Sequence, residues 1–240
     1  AMKNSYQAQK VIEEVVKERP KARWLFLTLS TKNAIDGETL ENSLKEMTKA
    51  FHKLFKYKKV SKNLIGFMRS TEVTVNKNDG SYNQHMHVLL CVESAYFRKK
   101  ENYITQEEWV DLWQKALQVD YKPVANIKAI KPNKKGDKDI QAAIKETSKY
   151  SVKSSDYLTG NHEKDAEIVS DLEQGLHRKR MLSYGGLLKQ KHKILNLDDA
   201  ENGDLIKTSD DETITDEEEK AHSITAIWNF EKQNYFLKNM

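Results

Sequence analysis

The sequence predicts an α+β fold, a central antiparallel β-sheet flanked by helices, and three observations carry that prediction. Two β-rich runs, Leu64–Val75 and Tyr82–Val92, are joined by Asn78-Asp79-Gly80-Ser81, and Asp-Gly between such runs signals an antiparallel hairpin. Segments of helical period are interspersed irregularly among the strands, rather than in the strict alternation that marks a parallel sheet. At 38% hydrophobic over 240 residues, the chain can bury a real core despite being 32% charged.

In chain order, residues 4–19 read as a helix with Val11, Ile12, Val15 and Val16 on one face, ended by Pro20. Arg23–Ser30 (RWLFLTLS) reads as a buried strand. A turn at Asp36-Gly37 leads to a helix over residues 40–57, with Leu44, Met47, Phe51, Leu54 and Phe55 at helical spacing. After the hairpin, Thr105-Gln106-Glu107-Glu108 is a capping box that opens a helix through Trp109, Leu112, Trp113 and Leu117. Residues 124–130 form a short strand, 131–139 a loop with Pro132 and Gly136, and a helix runs from Ile140 to Tyr150 and beyond. A further helix spans 163–175, stopped by Gly175, and a basic segment, Arg178-Lys179-Arg180, leads into Tyr184-Gly185-Gly186-Leu187-Leu188-Lys189. Residues 224–237 alternate as a terminal hairpin. The organisation expected is one body over 1–195, an acidic linker over 196–222 and a hairpin-like segment over 223–240.

The net charge of +4 hides an asymmetry. Residues 198–219 hold eleven acidic side chains against Lys207 alone, which leaves +14 on the remainder. A basic body points to a polyanion, with nucleic acid foremost. No apolar run approaches the length of a membrane span, and no signal peptide is apparent. The lone Cys91 cannot form an internal disulfide, so a reducing cytoplasm is the expected setting. Ala1 ahead of Met2 reads as a tag remnant.

Two groups of residues carry chemistry. Within Tyr82–Val92, His85 and His87 are alternate residues of a strand and share one face, about 7 Å apart at the backbone. Two imidazoles so placed can converge on one cation. A two-residue Asp79-Gly80 turn would set Glu72 opposite His87 and Thr74 opposite His85, adding a carboxylate to the same face; a three-residue loop would turn Glu72 away. A carboxylate with two imidazoles suits Mn²⁺, Mg²⁺ or Zn²⁺, and the carboxylate favours a harder ion. The second group lies on the helix IQAAIKETSKYSVKSSDY, residues 140–157. Glu146 and Tyr150 are four residues apart on one face, with Lys153 three residues later and Tyr157 further on. A phenol can serve as a covalent nucleophile, Lys153 can stabilise its charge, and Glu146 can accept a proton from the phenol or from water.

Taken in order, RWLFLTLS, QHMHVLL (84–90) and ETSKYSVK (146–153) resemble the three motifs of rolling-circle plasmid replication initiators, members of the HUH (His-hydrophobic-His) endonucleases. The resemblance covers most of residues 21–195. It implies a central antiparallel sheet with the first-motif strand beside the histidine strand. It also implies a divalent cation, Mn²⁺ or Mg²⁺, on the histidine pair, and a nick by Tyr150 that leaves a 5′-phosphotyrosine and a free 3′-OH. In the single-tyrosine branch a glutamate four residues earlier activates water at termination, the place of Glu146. The cysteine-bearing segment that members often carry before the first motif is not seen, and Tyr157 lies outside the motif.

The partners implied are plasmid origin DNA, a host helicase and a second copy of the chain, with no membrane. Arg23, Lys149, Arg178, Lys179, Arg180 and Lys189 are the basic residues expected near DNA. Two other readings stay open: a protein that binds the origin without cutting, and an HUH transposase with the same chemistry at transposon ends.

Overall fold

The computed structural model describes residues 2–130, 144, 147, 161–195, 226–229 and 234–237. Helix α1 (Met2–Glu18) leads into strand β1 (Arg23–Ser30), followed by α2 (Gly37–Leu54) and a short α3 (Lys58–Ser61). The hairpin strands are β2 (Leu64–Val75) and β3 (Tyr82–Val92). After them come α4 (Ala95–Arg98), α5 (Gln106–Leu117), β4 (Ala125–Ile130), α6 (His162–Leu176), β5 (Leu182–Gly185) and α7 (Gly186–Ile194). Five strands form one sheet in the order β4-β1-β3-β2-β5, and every pairing is antiparallel. The expected α+β arrangement on an antiparallel sheet is what the chain adopts.

The central strands are buried on both faces, and each face has its own helical cover. Leu25, Leu27 and Leu29 of β1 and Met86, Val88 and Leu90 of β3 are buried against Met47, Phe51 and Leu54 of α2 and against Trp109 and Trp113 of α5. On the opposite face Trp24, Met68, Leu89 and Cys91 pack with Ala8, Val11, Ile12 and Val15 of α1 and Leu188 of α7. Ile144, helical and buried, belongs to this second cluster, and Thr147 one turn later is helical and buried too. Helix α6 covers α2 and the hairpin end through Ile168, Leu172, Leu40, Leu44, Val73 and Tyr82. Burying such side chains stabilises by roughly 1.5–3 kcal/mol each, so this double-sided core anchors the strands that carry the mid-strand polar residues.

Thr105 caps α5 in the reciprocal box expected with Glu108, and Asp36 caps α2 through Thr39 N at 2.8 Å. Two expectations about the helices need correction. The helix expected over 40–57 begins earlier, at Gly37, because Asp36 is the cap, and stops at Leu54; the chain then turns and restarts as α3. Val16 was grouped with the buried face of α1 but is 41% exposed, since Val15 takes the core position beside it. Residues 182–194 carry too little periodicity to be assigned from sequence, yet they form an edge strand and a helix. The joint between these is Gly186, at φ +58°, where a Cβ would lie 2.3 Å from Ile65 O.

The hairpin loop is longer than the two residues expected. Asn76 N–H donates to Ser81 O and Gly80 N–H to Asn76 O, with Gly80 at φ +74°, so residues 77–80 form the loop. Glu72 therefore pairs with His85, Thr74 with Asn83, and Ser70 with His87. The partner of Glu72 shifts by two positions, and an even shift leaves it on the histidine face.

The chain divides into two compact units, Ala1–Asp199 and Ala200–Met240. In the second, Ala226–Asn229 and Asn234–Leu237 pair antiparallel. No helix among the described residues is long and apolar enough to cross a membrane.

Candidate metal centre

Three strands build the site. Because β3 lies between β1 and β2, His85 and His87 have neighbours on both sides: Ser30 and Glu72 flank His85, and Thr28 and Ser70 flank His87. These residues all share the face that also carries Trp24, Leu89 and Cys91, so the polar cluster is the continuation of an apolar floor.

Glu72 Oε2 accepts from His85 Nε2–H at 2.9 Å and from His87 Nε2–H at 3.0 Å. The two rings stand edge to face with centroids 4.7 Å apart. All three side chains are largely enclosed, at 12% exposure for Glu72, 16% for His85 and 10% for His87. The hydrogen bonds from His85 and then His87 hold the Glu72 carboxyl far below its usual range, and they outweigh the opposing effect of burial. The site is a compact anion with two imidazoles, and its three donor atoms lie within 4.8 Å of one another. Two imidazole nitrogens and one carboxylate oxygen in that space are a sound donor set for a divalent cation with positions left for phosphate oxygens or water.

The second sphere is also in place. With Nε2–H donating to Glu72, His87 Nδ1 accepts from Thr28 Oγ1 at 3.3 Å. Were Nε2 turned to a metal, the same hydroxyl would accept from Nδ1–H and fix the ring. Phe26, two residues before Thr28 on the same face, stacks on His87 with centroids 5.5 Å apart and planes at 19°. Sequence reasoning missed Thr28 and Phe26. Both lie in RWLFLTLS, but their role depends on the β1–β3 register, which no local signal in that strand reveals.

The other expected residues are either outside the described residues or scattered over the sheet. Tyr150, Glu146, Lys149, Lys153 and Tyr157 lie outside the described residues. Ile144 is buried on the metal face of the sheet, among Trp24, Met68 and Leu89. The basic residues do not gather in one place. Arg23 is exposed at the start of β1, five residues or about 17 Å of strand from Thr28. Lys189 is exposed on α7, which packs on the metal face. Arg178, Lys179 and Arg180 line a cavity with Arg69 and Thr71, whose side chains alternate with Ser70 and Glu72 and so belong to the opposite face.

The family model described as replication protein matches residues 1–236. A replication protein of Staphylococcus aureus is 55% identical over 237 residues, covering 99% of this chain and 100% of that one. One from a Bacillus species shows the same identity and coverage. A protein rep of Lactiplantibacillus plantarum is 52% identical over 238 residues, 99% of this chain and 75% of its own length. No solved structure matches.

Proposed function

The chain belongs to the replication protein family, and from that premise we propose that it initiates rolling-circle replication of a plasmid by nicking one strand at the origin. The observation that carries the proposal is the Glu72–His85–His87 cluster: two imidazoles on the strand that the first-motif strand flanks, met by a carboxylate from the strand on its other side. A family name alone would fit a protein that only binds the origin, whereas such a protein has no use for this donor set.

In this reading Glu72, His85 and His87 hold Mn²⁺ or Mg²⁺, with Thr28 and Phe26 orienting His87. When bound, the cation supplies Lewis-acid polarisation of the scissile phosphate. Tyr150 Oη gives up its proton to solvent and attacks the phosphorus; the bond to the 3′-oxygen breaks, and that oxygen takes up a proton from solvent and leaves as a 3′-OH, so no net proton is gained or lost. The 5′-phosphate stays on Tyr150, which conserves the ester for rejoining. Lys153 stabilises negative charge on the phenolate or phosphate. Glu146 takes the proton of the water that opens the second cleavage at termination. The enclosure of Glu72 and His85 keeps bulk water from competing for the donors. The setting is a bacterial cytoplasm, the partner is origin DNA, and a host helicase and a second copy of the chain are further partners of the reading.

The test incubates the protein with labelled single-stranded origin DNA and Mn²⁺. A covalent adduct that disappears in Tyr150→Phe, and in His87→Ala or with chelator, is expected. An adduct retained in Tyr150→Phe but lost in Tyr157→Phe would move the nucleophile. No adduct in the unaltered chain under any divalent ion would leave a non-cleaving binder. Glu146→Ala is expected to nick but not to hydrolyse at termination.

A further inference from the structure

On the face of the sheet away from the metal centre, α2, β2 and the turn before β5 enclose a cavity of about 300 Å³, roughly ten times the ~30 Å³ share of one water. Six of its lining residues are basic: Lys45, Lys49, Arg69, Arg178, Lys179 and Arg180. Among the described residues, no carboxylate lines it. Two of the lysines are engaged at its rim, Lys179 with Glu41 at 3.2 Å and Lys49 with Glu46 at 2.7 Å. Among the described residues, no carboxylate lies within ion-pair distance of Lys45, Arg69, Arg178 or Arg180.

Arg69 sets this cavity apart from a merely basic surface. It is 5% exposed, and its Nε and Nη1 are buried without a hydrogen-bond partner. Nη2 reaches only the Arg180 carbonyl, at 3.5 Å, and the guanidinium lies over the Phe51 ring at 5.0 Å. Burial and then the like charge of Arg180 both weaken its hold on its proton. A buried guanidinium is expensive without a counter-charge, and a fork of unfilled N–H groups matches the oxygens of a phosphate. Arg178 is held at φ +52°, and the turn there carries residues 178–180 along the cavity.

We propose that this cavity is a phosphate-binding site that grips the backbone of duplex DNA, with Arg69 at its base and Lys45, Arg178 and Arg180 at its mouth. The identity of the polyanion rests on the initiator reading; the site itself does not. Its position on the far face separates duplex holding from strand cutting. One strand, β2, joins the two sites, with Arg69 and Thr71 facing the cavity and Ser70 and Glu72 facing the metal centre. A duplex held here stays anchored while a single strand is worked on the other side.

The test measures binding of the full chain to a labelled duplex of about 24 base pairs over a range of KCl. Each phosphate that no longer meets a cation lowers the salt slope by about 0.9 and weakens binding about fivefold near 0.15 M salt. The double variant Lys45→Gln, Arg180→Gln is expected to bind about thirtyfold more weakly, with the slope reduced by about 2. Arg69→Gln is expected to bind duplex more weakly while its melting temperature without DNA holds or rises, the opposite of what removal of a structural arginine would do. Should Arg69→Gln fail to fold, the surface double variant decides. Mn²⁺ affinity, read by calorimetry, reports separately on the metal centre: its absence in the unaltered chain would defeat the initiator reading and leave the duplex result standing. Unchanged duplex affinity and slope in the double variant would overturn the proposal. If inorganic phosphate at constant ionic strength raises the melting temperature while the double variant binds duplex normally, the ligand is a free phosphate and the DNA assignment fails.

Discussion

Replacing Glu72 with glutamine is the most informative single change at the candidate metal centre. Glutamine keeps the volume and one acceptor oxygen but removes the charge. Glu72 Oε2 receives two hydrogen bonds, from His85 and His87. Each bond falls from the charge-assisted class, about 1.5–3 kcal/mol, to the neutral class, about 0.5–1.5 kcal/mol, so the metal-free protein should lose about 2 kcal/mol. For a unit of this size that is about 4–8 °C in melting temperature. The sign with pH follows from the carboxyl being held well below its ordinary 4.5. A depressed carboxyl stabilises fully above the unfolded value, and that contribution fades as pH falls through the folded one. The gap between the two proteins should therefore be as wide at pH ~5 as at pH ~7 and close only in strong acid. Metal response is the second readout. Mn²⁺ at about a hundred times its Kd adds about 2.7 kcal/mol, or about 5–10 °C, to the unaltered chain. A hundredfold loss of affinity would cut this to about 0.4 kcal/mol at the same concentration. Differential scanning calorimetry with and without Mn²⁺ reads both effects. An equal Mn²⁺ shift in Glu72→Gln would remove Glu72 from the ligand set, and a gap that closes by pH ~5 would refute the depressed carboxyl.

Other predictions follow from the same structure. Gly80 and Gly186 both have positive φ, but a Cβ meets nothing within 4 Å at Gly80 and Ile65 O at 2.3 Å at Gly186. Gly80→Ala should cost about 1 kcal/mol in denaturant unfolding and Gly186→Ala more than about 3 kcal/mol; equal costs would contradict the close approach of β5–α7 to β2. Asp36→Ala and Thr105→Ala should each lose about 1 kcal/mol as helix caps, whereas Ser94→Ala, at an end with no side-chain cap bond, should stay within about 0.5 kcal/mol. Cys91 is fully buried and its thiol is pushed up to about 12, so a thiol reagent at mildly alkaline pH should label the chain only after denaturation. Rapid labelling of the native protein would show that the α1–α7 side of the core opens.

By itself, the sequence determined that the donors of the candidate metal centre share one face of the sheet. The two-residue period of a strand puts His85 and His87 on one side whatever surrounds them, and any hairpin loop of even length brings Glu72 to the same side. The helix cap at Thr105 was likewise legible, because a cap is a contact between residues three apart. What needed the tertiary structure was every contact that depends on register or on burial. The four-residue loop decided that Glu72 pairs with His85 rather than His87. The β1–β3 alignment brought Thr28 and Phe26 to His87 across 59 and 61 positions of chain, and no local propensity encodes such an alignment. Arg69 looks in sequence like any strand arginine. Only the packing of α2 and the turn before β5 around it shows a buried charge with unfilled donors, because desolvation is a property of the whole fold and not of the residue.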